Sequence, residues 1–550
     1  MSVHDGSSFM SIVTSTKSRA AAIALSVSAV AVAVTLSLLF DDGILGNDYA
    51  QTVSVARNIV DGHGLKTSLI YYDVHYALEG PIVPQTVFPP GYAAVVAPLL
   101  WLDLPASAAI FSLCLAAFLG TGFLVALSVH RLGGGQLNVL LAGVTYLLAG
   151  TNWSNTLLNL SEVPFTFTTV VAMYLFLRWT QDSADGRVRL MLIGIAAACA
   201  LLLRYQGLFF IASIGVLFAW RAIVGRDYRT LIDMLTVATI PCIVVVAVVG
   251  FNLTNSGGPG GGPVDYVRHA ASMQEVIVEF YYEFSRILGV SKDSLVEGGL
   301  SELFVAAMFA YLLYAIFRSR FLLAVRDSII RTPALQLCVI YIGITLFALF
   351  YLAFTKSIGY AQARYFSTLL PFFILIVAIV CHEFRGRVDT SKRLALAGIP
   401  VLIGVVVFGQ AQATSQELQR VFSDDRMHEI RATLQTRLGD RSVGEILQEE
   451  IRSGNHVLAN EAQLLGYLLD RTTYGLTPAL FTEKVFDFEE VATMADKYSI
   501  KFVVLFPKIY RPHEVQNRNR VILTKLLHNN VPEWLSPVLQ TDDIRVFEVI

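Results

Sequence analysis

The stretch AAIALSVSAVAVAVTLSLLF (21–40) runs directly into DDGILGNDYAQTVSVARNIVDGHGL (41–65), so an uncharged apolar segment is followed at once by an acidic one. About 20 apolar residues are enough to cross the ~30 Å hydrocarbon core of a bilayer. The polar segment continues to residue 92 and ends in VFPPGYAAVVAPL (87–99). The pattern predicts a membrane-spanning helix followed by a long first loop, 41–92, with helices at the membrane interface.

Composition indicates that the rest of the chain is also built for a membrane. Of its 550 residues 55% are hydrophobic and 15% are charged, and the mean hydropathy is +0.58. We predict a polytopic α-helical membrane protein with about eleven spans. They are placed at 21–40, 106–129, 137–153, 162–178, 190–203, 207–220, 231–251, 301–317, 333–354, 366–382 and 394–412. The fifth and sixth are short, which requires tilting or a tight turn between them.

The distribution of basic residues predicts the orientation. Lys and Arg concentrate in the loops that are cytoplasmic if the N-terminus is inside, as the positive-inside rule requires. An odd number of spans then places the C-terminus outside, in a multi-pass protein of the plasma (inner) membrane. Phe40-Asp41-Asp42 offers no cleavage site, so the first span is predicted to be an uncleaved anchor. The net charge of −2 by itself says nothing about nucleic acid, and since the sequence has no basic tail, we expect no nucleic-acid partner.

The composition changes near residue 414, which divides the chain into a membrane domain, 1–413, and a soluble outer domain, 414–550. Short apolar runs bounded by turn residues predict strands, and helical spacing of apolar residues predicts helices. The strands are HVLAN (456–460), IKFVVLF (500–506) and IRVFEVI (544–550), and the helices are 441–453 and 487–498. We expect a small α/β domain that serves substrate recognition or acts as a lid.

Ionisable residues cluster at the predicted outer ends of the spans. Charges at bilayer depth are costly, so such residues mark function or an interface. The clusters are Asp41, Asp42 and Asp48 in the first loop, Glu162, the pair Arg204-Tyr205, the pair Arg268-His269, and Lys356 with Arg364-Tyr365. A carboxylate can act as a general base, and Arg or Lys can bind a phosphate. The topology therefore brings acids and phosphate-binding bases to one face of the membrane.

Five segments in this order resemble the GT-C superfamily of polyprenyl-phosphate-sugar-dependent glycosyltransferases, in the protein-mannosyltransferase and lipid A aminoarabinose-transferase group. They are NDYAQTVSVARNIVDGHGL (47–65), VFPPGYAAVVAPL (87–99), SEVPF (161–165), LLRYQGL (202–208) and ARYFSTLLP (363–371). The resemblance covers most of the membrane region and implies a GT-C fold. Bacterial members of this superfamily commonly carry an outer C-terminal α/β domain.

The resemblance implies that Asp48 is the catalytic base, with Asn47 where some members have a second acid. Asp41 or Asp42 could be the base in place of Asp48, or the two could simply mark the end of the first span at the membrane interface. Asp48 could instead be the N-cap of the helix that follows it. A lysine often precedes the proline pair in this group and contacts the donor phosphate, but Phe88 stands there in this chain. This departure argues against an aminoarabinose transferase and shifts phosphate binding towards Arg204 or Arg364.

Further roles are assigned with their alternatives. Lys356, Tyr205 and Tyr365 are expected to assist the two arginines, which could otherwise extend to the interface or pair with helix ends. Glu162 is a second acid, a metal ligand or a helix cap. The remaining residues expected around the substrate are Arg57, His63, Pro89, Pro90, Tyr92, Arg268 and His269. No cofactor is certain. His63 and His75 could hold a divalent metal with Asp73, but their spacing is a weak signal and solvated loop histidines are the favoured interpretation.

These expectations combine into one predicted function. The chain would transfer a monosaccharide from a polyprenyl-phosphate donor to an acceptor on the outer face, inverting the anomeric centre with Asp48 as base. The acceptor is a glycan, a lipid or a protein, and membrane lipids surround the enzyme. Two alternatives remain, namely a transporter or flippase of a lipid-linked sugar and a ligase or polymerase of whole glycans.

Overall fold

The computed structural model describes most of the membrane region and most strands of the C-terminal part. The described residues are 47–70, 83–134, 136–182, 186–225, 228–256, 272–287, 329–355, 361–387, 456–459, 462–469, 472–475, 487–507, 525–526 and 528–550. The predicted spans 21–40, 301–317 and 394–412 and the predicted helix 441–453 lie outside them. They therefore stay predictions.

Helices dominate the described residues up to 387. The first loop contains helix α1 (Asn47–Val60), and α2 (Gly91–Trp101) follows the proline pair. The later helices are α3 (Ala106–Arg131), α4 (Gln136–Leu147), α5 (Gly150–Leu157), α6 (Glu162–Gln181), α7 (Gly186–Leu203), α8 (Gly207–Gly225), α9 (Tyr228–Ser256), α10 (Met273–Ile287), α11 (Pro333–Thr355), α12 (Ala363–Ser367) and α13 (Leu370–Arg387). Among the described residues, five helices are long and apolar enough to cross a membrane: α3, α7, α8, α9 and α11.

The predicted span 137–153 is wrong as a single helix. Helix α4 ends at Leu147, and α5 and α6 meet at an angle of 120°, so that the two together could form a sixth, broken span. The polar run TNWSN (151–155) lies inside α5, where polar side chains need hydrogen-bond partners that lipid does not offer. Trp153 Nε1 donates to the Leu147 carbonyl at 2.7 Å, and Asn155 Nδ2 donates to Ser367 Oγ at 3.0 Å.

The short spans predicted at 190–203 and 207–220 are longer in the structure, since α7 begins at Gly186 and α8 ends at Gly225. The predicted tight turn between them is confirmed, and it consists of residues 204–206. Gly207 permits it, because a Cβ there would lie 2.3 Å from the Leu201 nitrogen. Gly91 likewise lets α2 approach the end of α7, where a Cβ would lie 2.5 Å from the Leu202 carbonyl oxygen. Gly207 thus allows the turn that carries Arg204 to be tight, and Gly91 lets the end of the first loop approach that turn.

The C-terminal part forms a six-stranded mixed sheet. Its strands are β4 (His456–Ala459), β5 (Thr473–Gly475), β6 (Ile500–Leu505), β7 (Leu535–Gln540) and β8 (Arg545–Val549), with helices α14 (Ala462–Leu469) and α15 (Phe488–Lys497). The three predicted strands and the predicted helix 487–498 are confirmed within a residue or two. Asp487 starts α15 with a capping box in which its side chain accepts from the Glu490 nitrogen at 2.8 Å.

The sixth strand of this sheet comes from the first loop. That loop contains the short strands β1 (Lys66–Thr67), β2 (Leu69–Ile70) and β3 (Val83–Pro84), of which β1 and β3 pair antiparallel. Strand β2 pairs parallel with β5, Leu69 opposite Thr473, and the sheet order is β2-β5-β4-β6-β8-β7. The loop after α1 and the C-terminal sheet are therefore one hydrogen-bonded structure.

Candidate active site at the loop-facing helix ends

Helix α1 presents Asp48 in its first turn, next to the loop-facing ends of the membrane helices. The helix is amphipathic, with Tyr49, Val53 and Ala56 fully buried, while the Asp48 side chain is 26% exposed. The Thr52 hydroxyl donates to the Asp48 carbonyl at 2.9 Å. The carboxylate itself remains available for a partner from elsewhere in the fold.

That partner is Arg364, 316 residues away in the chain. Its Nη1 donates to the Asp48 Oδ2 at 2.9 Å, the distance of a charge-assisted hydrogen bond. Arg364 lies on the five-residue helix α12, whose first nitrogen, that of Ala363, donates to Glu283 Oε2 at 2.7 Å. Glu283 thus fixes the start of the helix that carries the arginine.

Glu162 links Arg364 to a second arginine. It is the first residue of α6 and is 1% exposed. Its Oε2 lies 2.7 Å from Arg204 Nη1, and its Oε1 lies 3.6 Å from Arg364 Nε. The Arg204 Nη1 also donates to Ser161 Oγ at 2.7 Å. A carboxylate this deeply buried is stable only when paired, and here two guanidinium groups share it.

Tyr365 completes the cluster with its ring and its hydroxyl. The ring lies 4.9 Å from the guanidinium carbon of Arg364 and 5.4 Å from that of Arg204, both within cation–π range. Its hydroxyl accepts from Arg364 Nη2 at 3.1 Å. Burial alone lowers the pKa of Arg364, but Tyr365, Asp48 and Glu162 together raise it, so the guanidinium stays charged.

Tyr205 does not join this cluster. Its hydroxyl donates to the Thr86 carbonyl at 2.7 Å and accepts from Asn252 Nδ2 at 3.1 Å. These bonds connect the turn after α7 to the strand preceding the proline pair and to α9. Tyr205 therefore supports the turn that carries Arg204.

A cleft with about 430 Å³ of empty space, part of it open to solvent, lies beside Asp48. One face of α1 lines it with Asp48, Gln51, Thr52 and Val55, which are spaced one helical turn apart. The opposite walls consist of Gln85, Phe88, Pro89, Pro90, Tyr92, Ala93, Ser161 and Leu203. The predicted loop residues Pro89, Pro90 and Tyr92 thus line the same cleft as Asp48.

Tyr92 also connects the two loops that form the cleft. Its hydroxyl donates to the Asn159 carbonyl at 2.9 Å, two residues before Ser161. Asn159 adopts a positive φ of 57°, a conformation that asparagine tolerates better than most residues. The sharp turn places Ser161 and Glu162 against the cleft.

Two predicted loop residues lie elsewhere. Arg57 faces the C-terminal part, with its guanidinium carbon 5.2 Å from the Tyr467 ring, and His63 is exposed in the turn after α1. The predicted site residues Asp41, Asp42, Arg268, His269 and Lys356 lie outside the described residues.

Ser161, Gln51 and Tyr467 are neighbours of the cluster that sequence reasoning missed. Ser161 stands in the quoted SEVPF segment, so its proximity to Glu162 was a usable signal. Gln51 and Tyr467 carried no comparable signal, because their contacts depend on how separate parts of the chain pack. Over the described residues, no three His, Cys, Asp or Glu side chains come together as metal ligands.

Comparisons with known proteins bear on this geometry. Residues 106–256 match the family model described as dolichyl-phosphate-mannose-protein mannosyltransferase, a range that contains Glu162 and Arg204. No curated protein matches the sequence at a significant level.

Solved structures share the fold over nearly the whole chain. ArnT from Cupriavidus metallidurans in the apo state is similar with a TM-score of 0.57 and 14% identity, covering 96% of this chain and 98% of ArnT. The same protein bound to undecaprenyl phosphate gives a TM-score of 0.56 and 13% identity, over 96% and 97% of the two chains.

The oligosaccharyltransferase of Archaeoglobus fulgidus, tethered with an acceptor peptide, is similar with a TM-score of 0.51 and 12% identity. The alignment covers 88% of this chain and 69% of the archaeal one. At these identities the likeness concerns the fold. The chain therefore has the fold of the GT-C superfamily of membrane glycosyltransferases, as its motifs indicate, and its 106–256 region matches a mannosyltransferase family within it.

Proposed function

We propose that the protein transfers a monosaccharide from a polyprenyl-phosphate donor to an acceptor, with Asp48 as the general base. The observation that carries this proposal is the ion-paired series Asp48–Arg364–Glu162–Arg204 beside an open cleft. A base and two phosphate-binding cations are the groups that this reaction needs. In this arrangement they lie within a few ångströms of one another.

The arginines would hold the donor phosphate. Arg204 and Arg364 are fixed by the same carboxylate, Glu162, and by the Tyr365 ring. Each guanidinium has five N–H donors, so donors remain for a phosphate after these contacts are made. A phosphate oxygen would replace Asp48 at Arg364 Nη1, which frees the carboxylate to accept a proton.

The reaction then balances without a further reactant. An acceptor oxygen or nitrogen attacks the anomeric carbon while the bond from that carbon to the phosphate oxygen breaks. The acceptor proton passes to Asp48, and the polyprenyl phosphate leaves with one additional negative charge. Arg204 and Arg364 stabilise that charge as it develops, and attack from the opposite side inverts the anomeric centre.

Glu162 receives a different role in this scheme from the predicted second acid or metal ligand. Both of its oxygens face guanidinium groups, and its side chain is 1% exposed. A carboxylate in that position is poorly placed to take a proton from an acceptor. We propose instead that Glu162 orients the side chains of the two arginines.

The comparisons support the choice of donor. The matching family model is named for a dolichyl-phosphate-mannose-dependent enzyme, and the similar ArnT structure contains undecaprenyl phosphate. Both names describe a sugar or phosphate on a polyprenyl carrier. No contact among the described residues favours the transporter, flippase, ligase or polymerase alternatives over transfer.

The test is donor turnover by the purified full-length protein in lipid nanodiscs. A donor labelled in its sugar is supplied, and membranes from cells lacking the protein provide the acceptor. Transfer predicts acceptor-dependent release of polyprenyl phosphate and label in a new product. In proteoliposomes, movement of intact donor across the bilayer without loss of the sugar would instead identify a transporter.

A further inference from the structure

Helix α14 of the C-terminal part lies against helix α1, and Tyr467 contributes an aromatic contact between them. The rings of Tyr467 and Tyr49 meet edge to face, with centroids 5.4 Å apart at 72°. Their hydroxyl groups are 3.3 Å apart. Tyr49 is fully buried and directly follows Asp48, so this contact reaches the residue next to the base.

Tyr467 also holds the other end of the same helix. The Arg57 guanidinium carbon lies 5.2 Å from the centre of its ring, and Arg57 Nη1 donates to its carbonyl at 3.5 Å. Tyr49 and Arg57 are eight residues apart, which is about 12 Å along a helix. One tyrosine of the C-terminal part therefore contacts α1 at two points, one on each side of its middle.

The strand that follows α1 is fixed to the same region. Strand β2 pairs parallel with β5, and the Thr473 nitrogen donates to the Ser68 carbonyl at 3.3 Å. Thr473 lies six residues after Tyr467, so both attachments come from one short segment of the C-terminal part. Tyr467 thus contacts one face of α1, and the sheet holds the segment that follows α1.

Small displacements of α1 have large consequences if Asp48 is the base. A catalytic group misplaced by about 1 Å can lower a rate by about 100-fold. Asp48 lies in the first helical turn, and its pairing with Arg364 restrains the side chain. Burial raises the pKa of Tyr49, so its hydroxyl stays protonated and can donate to Tyr467.

We propose that Tyr467 is a positioning residue, through which the C-terminal sheet holds α1 and thereby aims Asp48. The proposal deepens the function proposed above and rests on it. It gives the C-terminal part a task other than contacting the substrate. It also predicts that the loop and the sheet act as a unit during turnover.

Two substitutions at this position separate the ring from the hydroxyl. We expect Tyr467→Ala to lower kcat by roughly 10- to 100-fold with the donor KM unchanged, because Arg204 and Arg364 are untouched. Tyr467→Phe keeps the contacts of the ring with Tyr49 and Arg57, so its kcat should stay within about threefold of the wild type. A gain in KM with unchanged kcat would contradict a positioning role.

A second readout does not depend on activity. Hydrogen–deuterium exchange over residues 47–60 reports directly on how firmly α1 is held. Tyr467→Ala should increase exchange there at least several-fold, and Tyr467→Phe should not. The matched control is Tyr498→Ala, which removes a ring stacked on Tyr474 within the C-terminal sheet, at a centroid distance of 5.1 Å.

The outcomes separate this proposal from the one it rests on. Unchanged exchange over 47–60 in Tyr467→Ala, or an equal loss of kcat in Tyr498→Ala, would overturn the role of Tyr467. Faster exchange in Tyr467→Ala together with no sugar transfer by the wild type would support the attachment of α1 and refute the proposed function. Normal transfer by both the wild type and Tyr467→Ala would refute the positioning role of Tyr467 and leave the proposed function standing.

Discussion

The two ends of helix α6 carry similar charges in opposite settings. At its beginning, Glu162 pairs with Arg204 and Arg364, and at its end Asp182 pairs with Arg131, Arg178 and Arg189. Twenty residues of helix span about 30 Å, close to the hydrocarbon thickness of a bilayer. The same elements, a carboxylate shared by arginines, thus stand at two helix ends about one membrane thickness apart.

Burial distinguishes the two clusters. Glu162 is 1% exposed and lies 2.7 Å from Arg204, whereas Asp182 is 34% exposed and lies 3.2–3.7 Å from its three arginines. The cluster around Asp182 is half-exposed, and we call it the exposed cluster because its carboxylate is the more accessible of the two. A cluster of this kind contributes little to stability and is typical of a basic membrane interface. A buried one is costly to build, which is compatible with a functional site. The buried end is also the one next to Asp48 and the cleft.

The largest expected effect concerns the base. Asp48→Asn should lower kcat by about 10³-fold, since general bases typically contribute 10²- to 10⁴-fold. The affinity for polyprenyl phosphate should change by less than about threefold. Turnover in nanodiscs and lipid-phosphate binding by native mass spectrometry check the two parts. Wild-type activity in Asp48→Asn would remove Asp48 from the mechanism.

The second-largest effect is expected on the binding of polyprenyl phosphate. Arg364→Lys keeps the charge but loses the planar fork that can grip a phosphate through two hydrogen bonds. We expect a decrease of about 10- to 100-fold in affinity for polyprenyl phosphate, equivalent to roughly 1.5–3 kcal/mol. Arg189→Lys at the other end of the membrane is the matched control and should leave this affinity unchanged. Equal losses in both would show that phosphate affinity depends on overall charge.

A stability comparison between the two carboxylates follows. Glu162→Gln leaves two buried arginines without their shared counter-charge, which should cost about 3 kcal/mol of unfolding free energy. Asp182→Asn should cost less than about 1 kcal/mol, because its cluster is exposed. Thermal unfolding of the two variants in the same detergent measures the difference. Similar unfolding temperatures would mean that the difference in burial does not make the two carboxylates contribute differently to stability.

The smallest effect is expected at the exposed end. Arg178→Gln should change kcat and the donor KM by less than about twofold, since its guanidinium lies 3.5 Å from Asp182 and its side chain is 38% exposed. Steady-state kinetics of this variant set the baseline for the substitutions at the buried end. A tenfold loss would indicate that the exposed cluster also takes part in the reaction.

Much of the fold could be predicted from periodicity and hydropathy. The long apolar runs near α3, α7, α8, α9 and α11 are helices at the predicted places, and three strands of the C-terminal part are correct. The prediction of one span over 137–153 failed because that range runs across the break between α4, which ends at Leu147, and α5, which begins at Gly150. Average hydropathy over a window does not locate such a break, nor the local hydrogen bonds of polar side chains near it.

Which charged residues belong to the candidate site could be predicted from the sequence. How these residues pair with one another could be predicted less well. Asp48, Glu162, Arg204 and Arg364 stand out as charges at the ends of apolar runs, so their convergence followed from topology. Their pairing did not, because which carboxylate meets which arginine depends on side-chain packing between distant segments. The same holds for strand β2, whose two residues carry no strand pattern until β5 lies beside them.

The central claim is that the buried cluster, and not the exposed one, binds the phosphate of a lipid-linked sugar next to Asp48. The most direct measurement is a cryo-electron microscopy structure of the Asp48→Asn variant with a polyprenyl-phosphate hexose. We expect phosphate oxygens within hydrogen-bonding distance of Arg204 and Arg364, with the anomeric carbon facing position 48 across the cleft. Phosphate bound among Arg131, Arg178 and Arg189, with the cleft empty, would contradict it.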